Sequence, residues 1–423
     1  MQLPKLFRLR QTFPRPLVDD IPAEVDSQLA SLELSKQVKP GETVAITAGS
    51  RGIAHIKEII KAIVDHLKGI GAKPFIVPAM GSHGGGTAEG QLGVLASYGI
   101  TPEYCGCEIR ASMETIIVCQ AKEGFPVHFD KHASEADHVV VCGRVKAHTD
   151  FTGEIQSGLM KMMLIGLGKH NGAKVYHKAI MDNTFTQIVQ SVAREVLSQC
   201  NILCGLAIIE NGYDETGHII GVPADQIEKR EPELLRLANT LLPKLPFEEA
   251  DLLIIDEIGK NISGAGMDTN IVGRKFNDHA ATGDEKPRIK RIALRGLTEE
   301  THGNASGIGM CEFCLTRMVE QMDRNITNIN SVTSGHVTAA MIPIYYDTDR
   351  EILENALQTI GLRPPQDARV MWIPHTLSID EVVCSEAFLA EAKSRDDLEV
   401  LFEPLEIPLD SQGMLPAVTQ WRP

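Results

Sequence analysis

The chain has 423 residues, 43% of them hydrophobic, which is enough to bury two ordinary cores, so two domains are expected. Its net charge of −15 argues against a nucleic-acid partner, which wants a basic face, and makes single Arg and Lys residues in loops informative about an anionic ligand. No apolar run approaches membrane-spanning or signal-peptide length, so the expectation is a cytoplasmic protein with no membrane partner.

In chain order, residues 42–47 (ETVAIT) read as a strand. Ile59, Ile60, Ile63, Val64 and Leu67 then repeat at helical spacing, with Gly69 and Gly71 as a stop. Residues 74–77 (PFIV) form the next strand, and a Gly-rich loop, MGSHGGGTAEG, leads into a helix near Gln91. Residues 136–142 are another strand, 183–198 a helix striped by Phe185, Ile188, Val189, Val192 and Val196, and 202–210 a further strand. This rhythm predicts parallel pairing with right-handed crossovers, and the continuously apolar strands suit a sheet covered on both faces. Two prolines, Pro243 and Pro246, precede a fresh strand at 251–256 and place a domain boundary there, giving domains 1–245 and 246–423. The second half alternates again over 289–294, 311–321, 339–345, 350–361 and 370–374. The fold expected is α/β, two domains each with a largely parallel sheet flanked by helices, and the active site in the cleft between them. The cysteines in apolar segments, Cys119, Cys142 and Cys204, read as small buried hydrophobes, and Cys311-x-x-Cys314 lacks a second ligand pair for zinc.

In open parallel sheets, ligands bind outside the carboxyl ends of the strands. Arg51 follows the first strand, His83 the second and His148 a third, so one sheet rim gathers all three. Gly49, Ser50 and Gly52 allow a sharp turn into a helix N-terminus, which attracts anions, and Gly84, Gly85 and Gly86 permit close backbone approach to a ligand. Neither loop is a Walker motif or a dinucleotide fingerprint. A single His at a strand end is more often structural than catalytic, so convergence carries the functional reading. The segment 143–177 is the most informative: Ser157 is placed to cap a helix whose Leu159, Met163 and Leu164 form an apolar side, with Lys161 one turn inside. In isolation Lys161 reads as a lysine snorkelling from a Met-rich core helix. His170 and His177 share a face only if the helix runs unbroken past Gly168 and Gly172.

At these residues the sequence resembles the lactate racemase family, whose enzymes use nickel held in a thiolated pyridinium mononucleotide. The family carries a His, a Gly-containing loop ending in Ser-Gly-x-x-Lys, and a second His downstream. Here His148 opens the segment, Ser157-Gly158-Leu159-Met160-Lys161 matches the loop end, and His177 lies 177 − 161 = 16 positions beyond. The resemblance implies that residues 1–245 bind the cofactor, pyridinium-3,5-bisthiocarboxylic acid mononucleotide, with Lys161 linked to it covalently and His177 as the nickel ligand. It implies His83 and His148 as paired acid–base residues, Arg51 as a cofactor or substrate contact, and Ser50, Ser157 and Gly158 as cofactor contacts. The sequence departs from the family in three places. Ala48 stands where the family's arginine motif has Asp, the loop between His148 and Lys161 is about three residues longer, and the Tyr-Gln-Lys motif of lactate-active members is replaced by MDTNIVGRK.

The reaction implied is racemisation or epimerisation of a small 2-hydroxy acid by hydride abstraction and return, with cofactor-synthesis enzymes as partners. Two other readings stand beside it: a non-catalytic nickel or cofactor-binding homologue, and a nickel-independent lyase or dehydratase on the same fold. The loop 259–275 follows the strand ending at Asp256 and concentrates Lys260, Arg274 and Lys275. The functional reading gives the substrate carboxylate to Arg274, with Asp268, Asn270 and Lys275 nearby, and the bland one is a solvated hinge. Val272, Gly273 and Arg274 in place of Tyr-Gln-Lys predict space for a substrate larger than lactate.

Overall fold

The computed structural model describes residues 1–275 and 283–422. The chain divides into two compact units: Pro14–His148 with Thr152–Leu242, and Met1–Phe13 with Thr149–Phe151 and everything from Pro243 onward. The segmentation read from sequence put residues 1–13 in the N-terminal domain. Instead strand β1 (Leu6–Gln11) belongs to the other unit's sheet, and the three residues after His148 cluster with that unit as well.

In the unit of Pro14–Leu242, β2 (Thr43–Ala48) and β3 (Lys73–Pro78) pair in parallel. A separate antiparallel hairpin follows, β4 (Thr115–Gln120) with β5 (Pro126–Asp130). Strands β6 (His138–Arg144), β7 (Ile202–Glu210) and β8 (Thr216–Pro223) complete a five-stranded sheet of order β3-β2-β6-β7-β8. All its pairings are parallel except that of β7 with β8. Strands β2, β3, β6 and β7 are buried along nearly their whole length, as a sheet covered on both faces requires. The stripe Ile59, Ile60, Ile63, Val64 and Leu67 on helix Ile56–Gly69 is fully buried, and so is Ile188, Val189, Val192 and Val196 on helix Phe185–Gln199.

The other unit carries β9 (Glu249–Ile255), β10 (Arg288–Leu294), β11 (Phe313–Leu315), β12 (Ile344–Tyr346) and β13 (Val370–Ile373) as a parallel set in order β12-β11-β10-β9-β13. Three antiparallel strands extend it: β14 (Glu381–Ser385), then β1, then β15 (Leu398–Leu405). Along β9 the side chains alternate between two cores. Leu253 and Ile255 join the cluster of Met267 and Ile271, while Leu252 and Ile254 join that of Trp372 and Trp421. Among the described residues no helix is long and apolar enough to cross a membrane.

Candidate functional site

The carboxyl ends of β2, β3 and β6 converge on one short segment that contains Lys161. Helix Leu159–Lys161 runs straight into a π-turn, Met162–Gly166, an irregularity frequent at functional sites. The Met162 side chain lies against Gly49 beyond β2 and Gly143 in β6: a Cβ at those glycines would sit 3.5 Å from its Cε and 2.7 Å from its Cγ. Ile165 covers Gly81 beyond β3, where a Cβ would lie 2.9 Å from its Cγ2. Leu159, Met163 and Leu164 are fully buried, so their side of the segment is core and Lys161 is half-buried beside it.

Ser157 does not cap this helix. Its backbone pairs with Lys146, N–H to O at 3.3 Å and 2.9 Å in return, closing the loop that holds His148. The cap comes from Glu231, whose Oε2 accepts the Met160 N–H at 2.8 Å. Gly158 is extended, and it is glycine for space: a Cβ there would lie 2.5 Å from Glu231 Oε1. Burial raises the Glu231 carboxyl to about 7, against the backbone donors of Met160 and Leu159 that lower it.

His83 precedes Gly84, Gly85 and Gly86, three successive residues at φ of +65°, +70° and +66°, a run only glycine adopts without strain. Its Nδ1 is 2.5 Å from Ser50 Oγ, and the Ser50 carbonyl accepts the Tyr98 hydroxyl at 2.8 Å. The His83 pKa is lowered by partial burial first, then by the positive charges of Arg51 and Lys161. Ser50, Arg51, His83 and Lys161 are therefore brought together. The Arg51 turn is braced from below, because Glu210 at the end of β7 accepts the Ala54 N–H at 2.7 Å and pairs with Arg144, which donates to Gly52 O at 3.1 Å.

Beneath the His83 loop lies a fully buried polar knot. Lys169 forms an ion pair with Asp130 at 2.9 Å and donates to Pro78 O and to Gln91 Oε1. Gln91 Nε2 donates in turn to Gly81 O at 3.0 Å and His83 O at 3.3 Å. Lys169 also begins helix Lys169–Asp182, which runs unbroken past Gly172, so His170 and His177 lie seven apart on one continuous helix and share a face. His170 meets the glycine loop, where a Cβ on Gly86 would lie 3.7 Å from its Nδ1. His177 is exposed on the same helix. The His148 backbone N–H donates to Gln156 Oε1 at 2.7 Å, and its ring stacks on Phe185 with centroids 6.3 Å apart.

In the other unit, Asp268 caps helix Thr269–Val272 through the Asn270 N–H, and Asn270 Oδ1 accepts from Lys275 Nζ at 3.1 Å. Burial lowers the Lys275 and Lys260 pKa values, opposed by Asp268 and Asp150 for Lys275 and by Asp150 for Lys260. Arg274 departs from the expectation. Its guanidinium is engaged by Met310 O at 2.7 Å, Glu312 Oε1 at 2.6 Å, Ile289 O at 2.9 Å and Lys290 O at 3.3 Å, so it anchors structure instead of presenting a fork to a carboxylate. Val272 is buried in the core, and Gly273 at φ +66° lies where a Cβ would meet Pro287 O at 1.9 Å. Neither lines open space, which removes the basis for expecting a substrate larger than lactate.

Sequence reading missed Tyr98, Gln91, Asp130, Arg144, Lys169, Glu210 and Glu231. Only Arg144 and Glu210, polar residues closing apolar strands, carried a local signal.

Residues 16–187 match the family model of the lactate racemase N-terminal domain. The chain also shares its fold with the lactate racemase apoprotein from Thermoanaerobacterium thermosaccharolyticum, at TM-score 0.54 and 14% identity over 88% of this chain and 93% of that one. No curated protein matches the sequence. Over residues 16–187 the chain is thus similar to the lactate racemase N-terminal domain, and it shares the fold of a lactate racemase apoprotein.

Proposed function

We propose that the protein is a racemase or epimerase of a 2-hydroxy acid, working with a nickel-pincer nucleotide at the rim formed by Ser50, Arg51, His83 and Lys161. The observation that carries the reading is the His83 imidazole, held by Ser50 at 2.5 Å with the Arg51 and Lys161 charges acting on it. The residues fit such a group. A Cβ on Gly52 or Gly85 would meet nothing within 4 Å, so both loops border open space. Lys161 supplies an amine for covalent attachment, His177 an imidazole suited to nickel, and Arg51 a cation for the phosphate or the substrate carboxylate. Among the described residues no three His, Cys, Asp or Glu side chains are grouped as a metal site.

When bound, the cofactor supplies a hydride acceptor. His83 then takes the proton of the substrate hydroxyl at its Nε2, while Ser50 holds Nδ1 and fixes the ring. Partial burial and the charges of Arg51 and Lys161 lower the His83 pKa and so favour the neutral ring, the form that acts as a base. His148 serves the opposite substrate hand.

The test is expression with the cofactor-making enzymes. The peptide containing Lys161 should gain mass, K161A should not, and the protein should abolish the optical rotation of a 2-hydroxy acid from a panel of them. Modification at a different residue would overturn the assignment of Lys161. Attachment without turnover would leave a cofactor-binding homologue, and turnover without nickel a lyase or dehydratase.

A further inference from the structure

Helix Arg324–Ser334 is amphipathic in the wrong sense for its own unit. It buries Thr327 and Ser331, at 0% and 1% exposure, and leaves Ile329 and Val332 68% and 69% exposed. The inward polar side has a local cause: Thr327 Oγ1 accepts the Ala305 N–H at 3.0 Å and holds the loop at residues 303–306. The outward apolar ridge, Ile326, Ile329 and Val332 at three-residue spacing, has no cause within the unit.

The ridge continues through Val337 and Met341, 59% and 61% exposed, into β12, where Ile344 and Tyr345 are 58% and 51% exposed. Among the described residues, strand β12 is the edge of the eight-stranded sheet, with one side unpaired. Eight large apolar side chains between residues 326 and 345 are more than a third exposed. Together they exceed the scattered apolar exposure ordinary for a monomer, and approach the roughly 800 Å² one partner contributes to a standard interface.

Charge selects the occupant. Residues 325–346 contain no Asp, Glu, Lys or Arg, in a chain where 23% of residues are charged and the net charge is −15. Two copies of so acidic a chain repel over most of their surface, and a charge-free face is where they can meet without opposing like charges. A charged partner would find nothing complementary there. We propose that this face, helix Arg324–Ser334 with the β12 edge, binds the same face of a second copy of the chain, as a twofold dimer. The proposal is independent of the reaction catalysed.

Sedimentation of the full chain from roughly 1 to 100 µM tests it across the micromolar range of weak dimers. Twice the chain mass is expected, with I329E/V332E weakening association by roughly thirtyfold or more, as loss of central anchors does. The single I329S should weaken it less, and I117E, on the exposed β4 strand, should leave it unchanged. Urea midpoints equal to the parent's confirm that the variants fold. A monomer throughout the range, or a dimer indifferent to I329E/V332E, overturns the proposal. A monomer that floats with phosphatidylcholine vesicles through this face also overturns it, in favour of a lipid surface.

Discussion

Both units present charged residues where their parallel strands end, yet they use them in opposite ways. In the unit of β9 and β13, Arg295 donates to both oxygens of Asp349, to Asp256 and to the carbonyls of Leu415 and Pro416, and Asp256 also accepts from Trp372 and Val418. Three of those bonds, to the Leu415 and Pro416 carbonyls and from the Val418 N–H, tie down the C-terminal tail, and the others hold the cluster together. In the unit of β2 and β3 the bracing is delegated to residues below the rim: Tyr98, Gln91, Lys169, Arg144 and Glu210. Arg51 and His83 are left exposed, with Ser50 and Lys161 half-buried beside them. A strand end can thus carry charged groups either as a structural anchor or as a rim supported from elsewhere in the fold.

The largest effect should come from the rim itself. H83A is expected to lower racemisation by roughly 10²- to 10⁴-fold, the range of a positioned general base. S50A, which removes only the group orienting Nδ1, should cost less and act on kcat more than on KM. The acid limb of the pH–rate profile should lie below the ordinary His range, since burial, Arg51 and Lys161 all lower the His83 pKa. R51Q should move that limb upward. A limb that does not move would mean that the Arg51 charge does not act on His83. Racemisation near the parent rate in H83A would remove the contrast between the two rims.

Next is the brace under the rim. K169M leaves Asp130 as an unpaired buried charge, so a loss of about 3–5 kcal/mol is expected by denaturant unfolding. The double variant K169M/D130N should recover part of it, because no charge is then stranded. Equal instability of the single and double variants would show that the ammonium matters through its hydrogen bonds to Pro78 and Gln91 instead.

How much of this was legible follows from the range of the interactions. Strands such as β2, β3, β6 and β7 announce themselves because a doubly covered strand is apolar throughout, and Arg51 and His83 follow such runs directly. Strand β1 was invisible: its partners are at 381–385 and 398–405, and no local pattern in LFRLRQ names them. Glu231 lies 231 − 161 = 70 residues after the lysine whose helix it caps, and Lys169 meets Asp130 only through the folded chain. Gly158 was legible as part of a motif, but its reason, the carboxyl of Glu231 against its Cα, was not. The polar groups that support the site are set by tertiary proximity, which a single sequence does not display.

Glu231 gives the third test. Its carboxyl is raised from the ordinary value of 4.5 to about 7 by burial. A group whose folded pKa is raised stabilises fully below its unfolded pKa, and that stability is lost as pH rises through the folded pKa. The parent should therefore lose about 3 kcal/mol between pH 4.5 and 7.5, read as a falling urea midpoint. E231Q keeps an oxygen acceptor for Met160 without the titration, so its midpoint should be flatter across that window. An unchanged slope would place the proton uptake on a different group.

The smallest effect concerns Arg274, and it separates the two rims most directly. Had this residue been a substrate fork, R274A would raise KM steeply and leave the fold alone. Its four acceptors lie within its own unit, and the ion pair with Glu312 is only partly exposed, 22% and 34% for the two side chains. Glu312 would not be left stranded, since its Oε2 already accepts the Ile292 N–H at 2.8 Å. The expected loss in R274A is accordingly about 1–3 kcal/mol, that of hydrogen bonds to one charged group, with KM unchanged for the folded fraction. R274K should recover only part of that stability, because an ammonium with three donors cannot serve three carbonyls and a carboxylate as the guanidinium does. A rise in KM without loss of stability would return Arg274 to the substrate and make the second rim as chemical as the first.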